Sequence, residues 1–218
     1  MAGELLSEEE WGTLRRRAAT RHYRAKQVLF HEGEPGNAVV AIGSGTVKVS
    51  LLTRRGREIV LAIKEAGELV GELSAIDGRP RSATATALEP VDALVLPAPV
   101  FLEFVDAHPR LAVRLLRVLA AQIRATDLRS AERDAGDITS RVARRLVELA
   151  ERFGEHRGSG MEITLVLSQD DLAGWVGATR EATSRALGRL RADGCVTTGR
   201  QRITLTDLAS LRGFCAGV

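Results

Sequence analysis

The sequence predicts an α+β protein: a barrel or jelly roll of short strands, then one long helix, then two short helices and a two-stranded ribbon. Three observations predict it. From Val28 to Leu96, short apolar runs alternate with glycine turns, which suits closed antiparallel sheets and not parallel βαβ units. From Pro109 the apolar spacing becomes helical. Between Ser168 and Val196, two helix-start signals flank a single glycine turn.

Composition narrows the classes. The 218 residues are 44% hydrophobic and 27% charged, which describes an ordinary folded chain long enough for a substantial core. No apolar run approaches the ~20 residues needed to cross a bilayer. The start, "MAGELLSEEEW", is acidic and lacks the basic-then-apolar order of a secretory signal, so a cytoplasmic protein is expected. Two cysteines, Cys195 and Cys215, are too few for an iron–sulfur cluster and have no metal-type spacing. The four histidines are scattered, so no metal site is expected. A net charge of +3 points only weakly to a polyanion partner.

Taken in order, Ser7 and Glu10 form a capping-box pattern that opens a short helix with Trp11, Leu14 and Ala18 on one side. In "TVKVSLL", Val47, Val49 and Leu51 alternate with Lys48 and Ser50, the period of a half-buried strand. Pro109 suits the first turn of the long helix. Ala112, Leu116, Leu119, Ile123 and Thr126 follow at heptad spacing, with Leu111, Leu115 and Val118 widening the apolar face. Either the whole face docks on its own domain, or the seam pairs with a second chain to make a homodimer. "RDAGDITS" breaks the helix at Gly136, the expected hinge, and restarts it at Asp137. The expected domains are therefore 1–107, 108–136 and 137–218.

In the last domain, Ile138, Val142, Leu146, Leu149 and Phe153 make one helical stripe ended by Gly154. "GEHRGSG" reads as a polar loop and "MEITLVL" as a strand. Ser168 caps a helix to Val176, Gly177 turns the chain, and Thr179 caps a helix running to about Ala192. Ala182, Ala186, Leu187 and Leu190 are expected to face inward, leaving Arg180, Glu181, Ser184, Arg185 and Gly188 outside. A wing with its turn at Gly199 follows. Between Thr179 and Arg191 there are four arginines and one glutamate, the charge that phosphate and guanine contacts need. A solvated helix with a Glu181–Arg185 pair is the plainer alternative.

The remaining stretch is "GELSAIDGRPRSATATAL", Gly71 to Leu88, which sets an acid and an arginine on either side of a short turned segment. Together with "FHEGEPGNAVVAIGSGTVKV" and "VGATREATSRAL", it makes the chain resemble the cyclic-AMP receptor protein type of transcription regulator. That superfamily also holds the fumarate–nitrate regulator. The resemblance covers almost the whole length, with Thr179 and Ala182 as mild departures. It implies a cyclic-nucleotide-binding β-roll, a dimerisation helix and a winged helix-turn-helix.

By resemblance, Arg81 pairs the ring phosphate, Ser82 donates to it, Glu72 accepts from the ribose hydroxyl, and Gly71 allows close backbone approach. Gly71, Glu72, Leu73, Arg81, Ser82, Thr126 and Asp127 are the ligand candidates; Thr179, Arg180, Glu181, Ser184 and Arg185 are the DNA candidates. The family uses a Thr–Ser pair to reach the base, whereas this chain has Thr126 and Asp127. A carboxylate there accepts from adenine or guanine, so cyclic AMP is the expected ligand and cyclic GMP an alternative. Ala62 stands where some relatives carry a serine hydroxyl.

The resemblance further implies a palindrome of TGTGA-like half-sites on double-stranded DNA, a homodimer, and contact with RNA polymerase. A Glu72–Arg81 salt bridge needs no ligand, and with it goes the rival reading of a ligand-independent DNA-binding dimer. An enzyme acting on cyclic nucleotides is not expected, because no metal cluster or nucleophile–base pair is present.

Overall fold

The computed structural model describes residues 5–135, 137–158, 160–199 and 202–215. The chain divides into two compact units between Ile123 and Arg124, with Arg57–Ile59 grouped with the second.

The first unit opens with α1 (Glu8–Arg17). Ser7 and Glu10 form the expected capping box, the Ser7 N–H donating to Glu10 Oε2 at 2.7 Å. Eight strands follow: β1 (Ala19–Tyr23), β2 (Val28–Phe30), β3 (Ala38–Ser44), β4 (Val47–Leu52), β5 (Glu58–Lys64), β6 (Leu69–Val70), β7 (Thr84–Ala87) and β8 (Val91–Pro97). A short helix, α2 (Glu72–Asp77), separates β6 from β7, and α3 (Ala98–Ala107) follows β8. The strands form two four-stranded sheets, in the orders β1-β8-β3-β6 and β2-β7-β4-β5.

Strand β3 shows why this is a roll covered by helices. Val40 and Ile42 point between the sheets, where they meet Val47, Ala85, Ala87 and Ala93. Val39 and Ala41 point the other way, into a cluster with Leu14, Phe101, Phe104, Leu111 and Leu115 from the helices. A strand buried on both faces must be apolar throughout, hence the unbroken "AVVAI". Strand β4 departs from the expected half-burial, because Lys48 and Ser50 are buried as well as Val47. Both polar side chains keep partners there, the condition under which polar groups enter an interior.

Helix α4 (Pro109–Ala135) runs unbroken for 27 residues, about 40 Å. Leu111 and Leu115 are buried in the first unit's core and Val118 packs against it, as the sequence suggests. Arg114 reaches back to Glu10 and to the Leu5 carbonyl, at 2.7 Å for the latter, and so fastens α1 to α4. Val113, Leu116 and Ile123 stay exposed, the last two at 64% and 63%. The expected hinge residue, Gly136, lies outside the described residues.

The second unit contains α5 (Ile138–Phe153), β9 (Gly154–Arg157), β10 (Gly160–Ile163), α6 (Gln169–Val176), α7 (Arg180–Ala192), β11 (Val196–Gly199), β12 (Arg202–Leu205) and α8 (Leu208–Cys215). Asp137 caps α5, accepting from the Ser140 N–H at 2.9 Å. "GEHRGSG" is not a plain loop: Glu155–Arg157 pair with β10 as an antiparallel hairpin. Its polarity misled because the strand is exposed, and exposed strands carry no apolar alternation. The sheet order β11-β12-β10-β9 attaches this hairpin to the wing. Residues 200 and 201, next to the expected wing turn at Gly199, lie outside the described residues. Cys195 and Cys215 are free thiols.

Leu111 is wholly buried where α4 meets the sheet and α3. Leu111→Ala is expected to destabilise the first unit by about 2–5 kcal/mol. The check is urea unfolding followed by Trp11 fluorescence in a Trp175→Phe background, with a lowered midpoint and unchanged slope.

Candidate functional site

The stretch from Gly71 to Ser82 folds around one buried guanidinium. Gly71 ends β6 at φ +82° and caps α2; a Cβ there would lie 2.4 Å from Arg81 Nη1. Only glycine satisfies both the left-handed backbone and this close approach. Arg81 is 5% exposed. Its Nη1 donates to the Gly71 carbonyl at 2.8 Å and its Nη2 to the Ala38 carbonyl at 2.5 Å. The group lies over the Phe30 ring, 4.2 Å from the centroid. The β2–β3 loop braces the backbone of the same residue: Arg81 N donates to Glu34 O, and Gly33 N donates to Arg81 O. Its Nε is buried without a hydrogen-bond partner.

Glu72 is buried beside it but forms no ion pair with Arg81; the guanidinium has turned to carbonyls instead. Burial raises the Glu72 pKa above the ordinary carboxylate value, and its own backbone N–H, Lys64 and Arg81 only partly offset this. Burial likewise lowers the Arg81 pKa from its usual value, against the opposing charges of Glu34 and Glu72. The loop therefore holds an acid that burial makes harder to ionise and an arginine with one unused donor. That is poor for stability and suited to a ligand with one negative charge and a hydroxyl. Ser82 and Leu73 are exposed, Leu73 at 41%. Thr126 and Asp127 are exposed on α4.

Sequence reasoning missed Phe30, the Ala38 carbonyl and the bracing loop from Gly33 to Glu34. An aromatic three residues before a glycine–acid turn is a faint signal, and a carbonyl leaves none. Among the described residues no group of histidines, cysteines and carboxylates is placed to hold a metal ion.

In the second unit, Ser168 and Asp171 make a capping box on α6. Gly177, at φ +72°, ends that helix in the left-handed conformation and turns the chain into α7. Thr179 caps α7 by accepting from the Ala182 N–H at 3.2 Å. The buried side of α7 is Thr183, Ala186, Leu187 and Leu190. Thr183 thus takes the place expected for Ala182, since its steps of three and four to Ala186, Leu187 and Leu190 close the stripe better. Its hydroxyl is buried without a hydrogen-bond partner, which explains why polarity hid it.

Arg180, Glu181, Ser184 and Arg185 are all exposed, as expected. Arg180 leans on Asp170 of α6 at 3.4 Å, and Arg191 donates to Thr198 of the wing at 3.1 Å. Glu181 keeps its charge: its own backbone N–H, the Thr179 hydroxyl and the two neighbouring arginines all lower its pKa.

Glu72→Gln removes a carboxylate that is costly to ionise in the folded chain. Because the folded pKa is raised, wild type loses stability as pH climbs from about 4.3, the unfolded value, through the folded value. The variant is expected to melt higher than wild type at pH 7–8, and the difference is expected to vanish near pH 4. Thermal scans across this range check the sign.

Residues 20–108 match the family model of the cyclic nucleotide-binding domain, and residues 140–214 that of the Crp-like helix-turn-helix domain. The chain is 34% identical over 179 residues to the CRP-like cAMP-activated global transcriptional regulator of Mycobacterium tuberculosis, covering 82% of this chain and 80% of that one. It is 29% identical over 198 residues to the cyclic AMP receptor protein of Thermus thermophilus, covering 91% and 88%. Among solved structures, a mutant of CooA from Carboxydothermus hydrogenoformans superposes with a TM-score of 0.79 at 26% identity, covering 96% of this chain and 93% of that one. With both half-motifs matched in chain order and these relatives spanning most of its length, the chain belongs to the CRP–FNR superfamily of transcription regulators, with a cyclic-nucleotide-binding domain ahead of a helix-turn-helix, and is not an enzyme.

Proposed function

We propose that this protein is a homodimeric regulator whose grip on DNA responds to cyclic AMP. The observation that carries the reading is the buried, unpaired Nε of Arg81 inside a loop that already enforces close backbone approach. Leaving a donor unpaired in the interior costs about 1–3 kcal/mol, which a singly charged ring phosphate would repay. Ser82 would donate to that phosphate from the exposed rim. Glu72 would meet the ribose hydroxyl, with Gly71 and Leu73 bordering the loop. Thr126 and Asp127 would read the base from α4. Cyclic GMP remains the competing ligand, because a carboxylate at 127 accepts from either purine.

The exposed apolar residues Val113, Leu116 and Ile123 support pairing of α4 with a second copy. A two-fold dimer would set its two α7 helices about 34–36 Å apart, on successive major grooves of a palindrome. Arg180, Glu181 and Arg185 would read TGTGA-like half-sites, with Thr179 and Ser184 on the backbone. Nucleotide would act by shifting the population toward the dimer that fits this spacing. RNA polymerase is the expected further partner.

A second reading has its own support. Two of the Arg81 nitrogens already bond carbonyls, so the same geometry suits a regulator that binds DNA without a ligand.

Calorimetric titration with cyclic AMP and cyclic GMP, paired with band shifts with and without each, separates the two. Arg180→Ala is expected to weaken specific DNA binding about tenfold to a hundredfold while nucleotide affinity holds. Equal loss of both would contradict the modular reading, and DNA affinity indifferent to either nucleotide would favour the ligand-independent one.

A further inference from the structure

The strand that leads toward the ligand loop ends on a charge that the roll does not need. Strand β5 buries Val60 and Ile63 and then Lys64, which is 7% exposed. Taking an ammonium out of water is costly, and a buried ion pair adds little stability over apolar side chains of the same size. Lys64 Nζ donates to Glu68 Oε1 at 2.9 Å. The other Glu68 oxygen accepts from the Glu65 N–H at 2.9 Å, so its own turn fixes the carboxylate. That turn is clamped to β3: the Ile42 N–H donates to the Glu68 carbonyl at 2.9 Å, and the Gly67 N–H to the Ile42 carbonyl at 2.8 Å. After Glu68 the chain enters β6, in register with β3 through Leu69 and Val70, and passes straight into Gly71 and Glu72.

The pair and the loop therefore share one frame, and they act on each other through charge. Burial weighs most on Glu72 and opposes its ionisation; its own backbone N–H offsets part of this. Among the charged side chains acting on it, Lys64 of β5 favours the anion most, Glu68 of the β5–β6 turn opposes it, and Arg81 helps less than Lys64. Glu34, on the β2–β3 loop, acts on Arg81. The Lys64–Glu68 pair thus presents its positive end to Glu72.

We propose that Lys64 is a positioning residue of the ligand loop: its ammonium, held in place by Glu68, is the counter-charge that lets Glu72 meet a ribose hydroxyl as an anion. On the nucleotide reading, on which this inference rests, recognition of the sugar extends to two side chains outside the Gly71–Ser82 loop. A bound ring phosphate would take up the Arg81 charge, leaving Lys64 as the cation that balances the carboxylate. Hydrogen bonds to an ionised acceptor are about twice as strong as neutral ones, so the charge on Glu72 sets how well the site tells ribose from deoxyribose.

The test uses the full-length chain with Lys64→Met, which keeps the length and removes the charge, Lys64→Arg as the rescue, and Glu68→Gln, which leaves Lys64 unbalanced. The Glu72 carboxyl is titrated without ligand by carbon-13 resonance, its signal identified by its loss in Glu72→Gln. Its midpoint is expected to move up in Lys64→Met, down in Glu68→Gln, and to stay near wild type in Lys64→Arg. Opposite signs separate charge from packing, and Glu68→Gln carries the test if Lys64→Met does not fold. Calorimetry with cyclic AMP and 2′-deoxy cyclic AMP then reads the sugar: a preference of about tenfold for the ribose form in wild type is expected to fall to about threefold in Lys64→Met and to return in Lys64→Arg. An unmoved Glu72 midpoint in Lys64→Met, or a shift of the same sign in Glu68→Gln, would overturn the proposal. So would equal loss of affinity for both nucleotides in Lys64→Met, which would make Lys64 a plain support of the roll. Wild type that binds neither nucleotide would defeat the nucleotide reading and the role toward ribose with it, while the ligand-free titration still decides whether Lys64 sets the charge of Glu72.

Discussion

The Arg81 guanidinium is enclosed by its own loop, and the first unit's candidate site is arranged around that fact. Two carbonyls, from Gly71 and Ala38, and the face of Phe30 replace most of the water it gives up. They do not replace all of it, because Nε stays unpaired. A buried cation with one missing partner is a standing cost in the absence of an anion, and that cost is what a ligand of opposite charge would remove. Stability and responsiveness therefore pull against each other at this residue. Glu72 adds to the tension, since burial resists its ionisation while no ion pair with Arg81 relieves it.

The surrounding roll makes such a loop affordable. Its interior is built from small aliphatic side chains and alanines, with Phe101 and Phe104 the largest wholly buried groups of the outer cluster. Strand β3 serves both layers at once, which leaves little freedom for the β2–β3 loop that follows Phe30. That loop hydrogen-bonds to the Arg81 backbone on both sides. The position of the guanidinium is thus inherited from sheet register, not from the loop's own preferences.

The second unit relies on local chemistry more than on register. Ser168 begins α6, and Gly177 and Thr179 end it and begin α7 within a few residues, each through its own backbone geometry or a hydrogen bond three residues away. Burying Thr183, Ala186, Leu187 and Leu190 leaves the arginine-bearing side of α7 in water. The wing is linked to that helix by Arg191 and Thr198. At the other end of the unit, Glu132, Arg144 and Arg145 replace apolar packing with paired charge, an arrangement that is directional and so sets how the helices meet.

The sequence by itself determined whatever depends on near neighbours in the chain. Capping pairs, glycine turns, the short apolar strands between them, the apolar face of α4 and the exposed arginines of α7 are all set within about seven residues. Tertiary structure decided the rest. It paired Arg81 with carbonyls and not with Glu72, buried Lys48 and Ser50 opposite an apolar face, and made a strand of Glu155–Arg157 by edge pairing. It also put Thr183 inside α7 and sank Glu132 between two arginines more than ten residues away. The physical reason is common to all of these. A backbone carbonyl, an open sheet edge or a distant guanidinium has no side-chain pattern of its own, so its partner is chosen only when the chain closes around it.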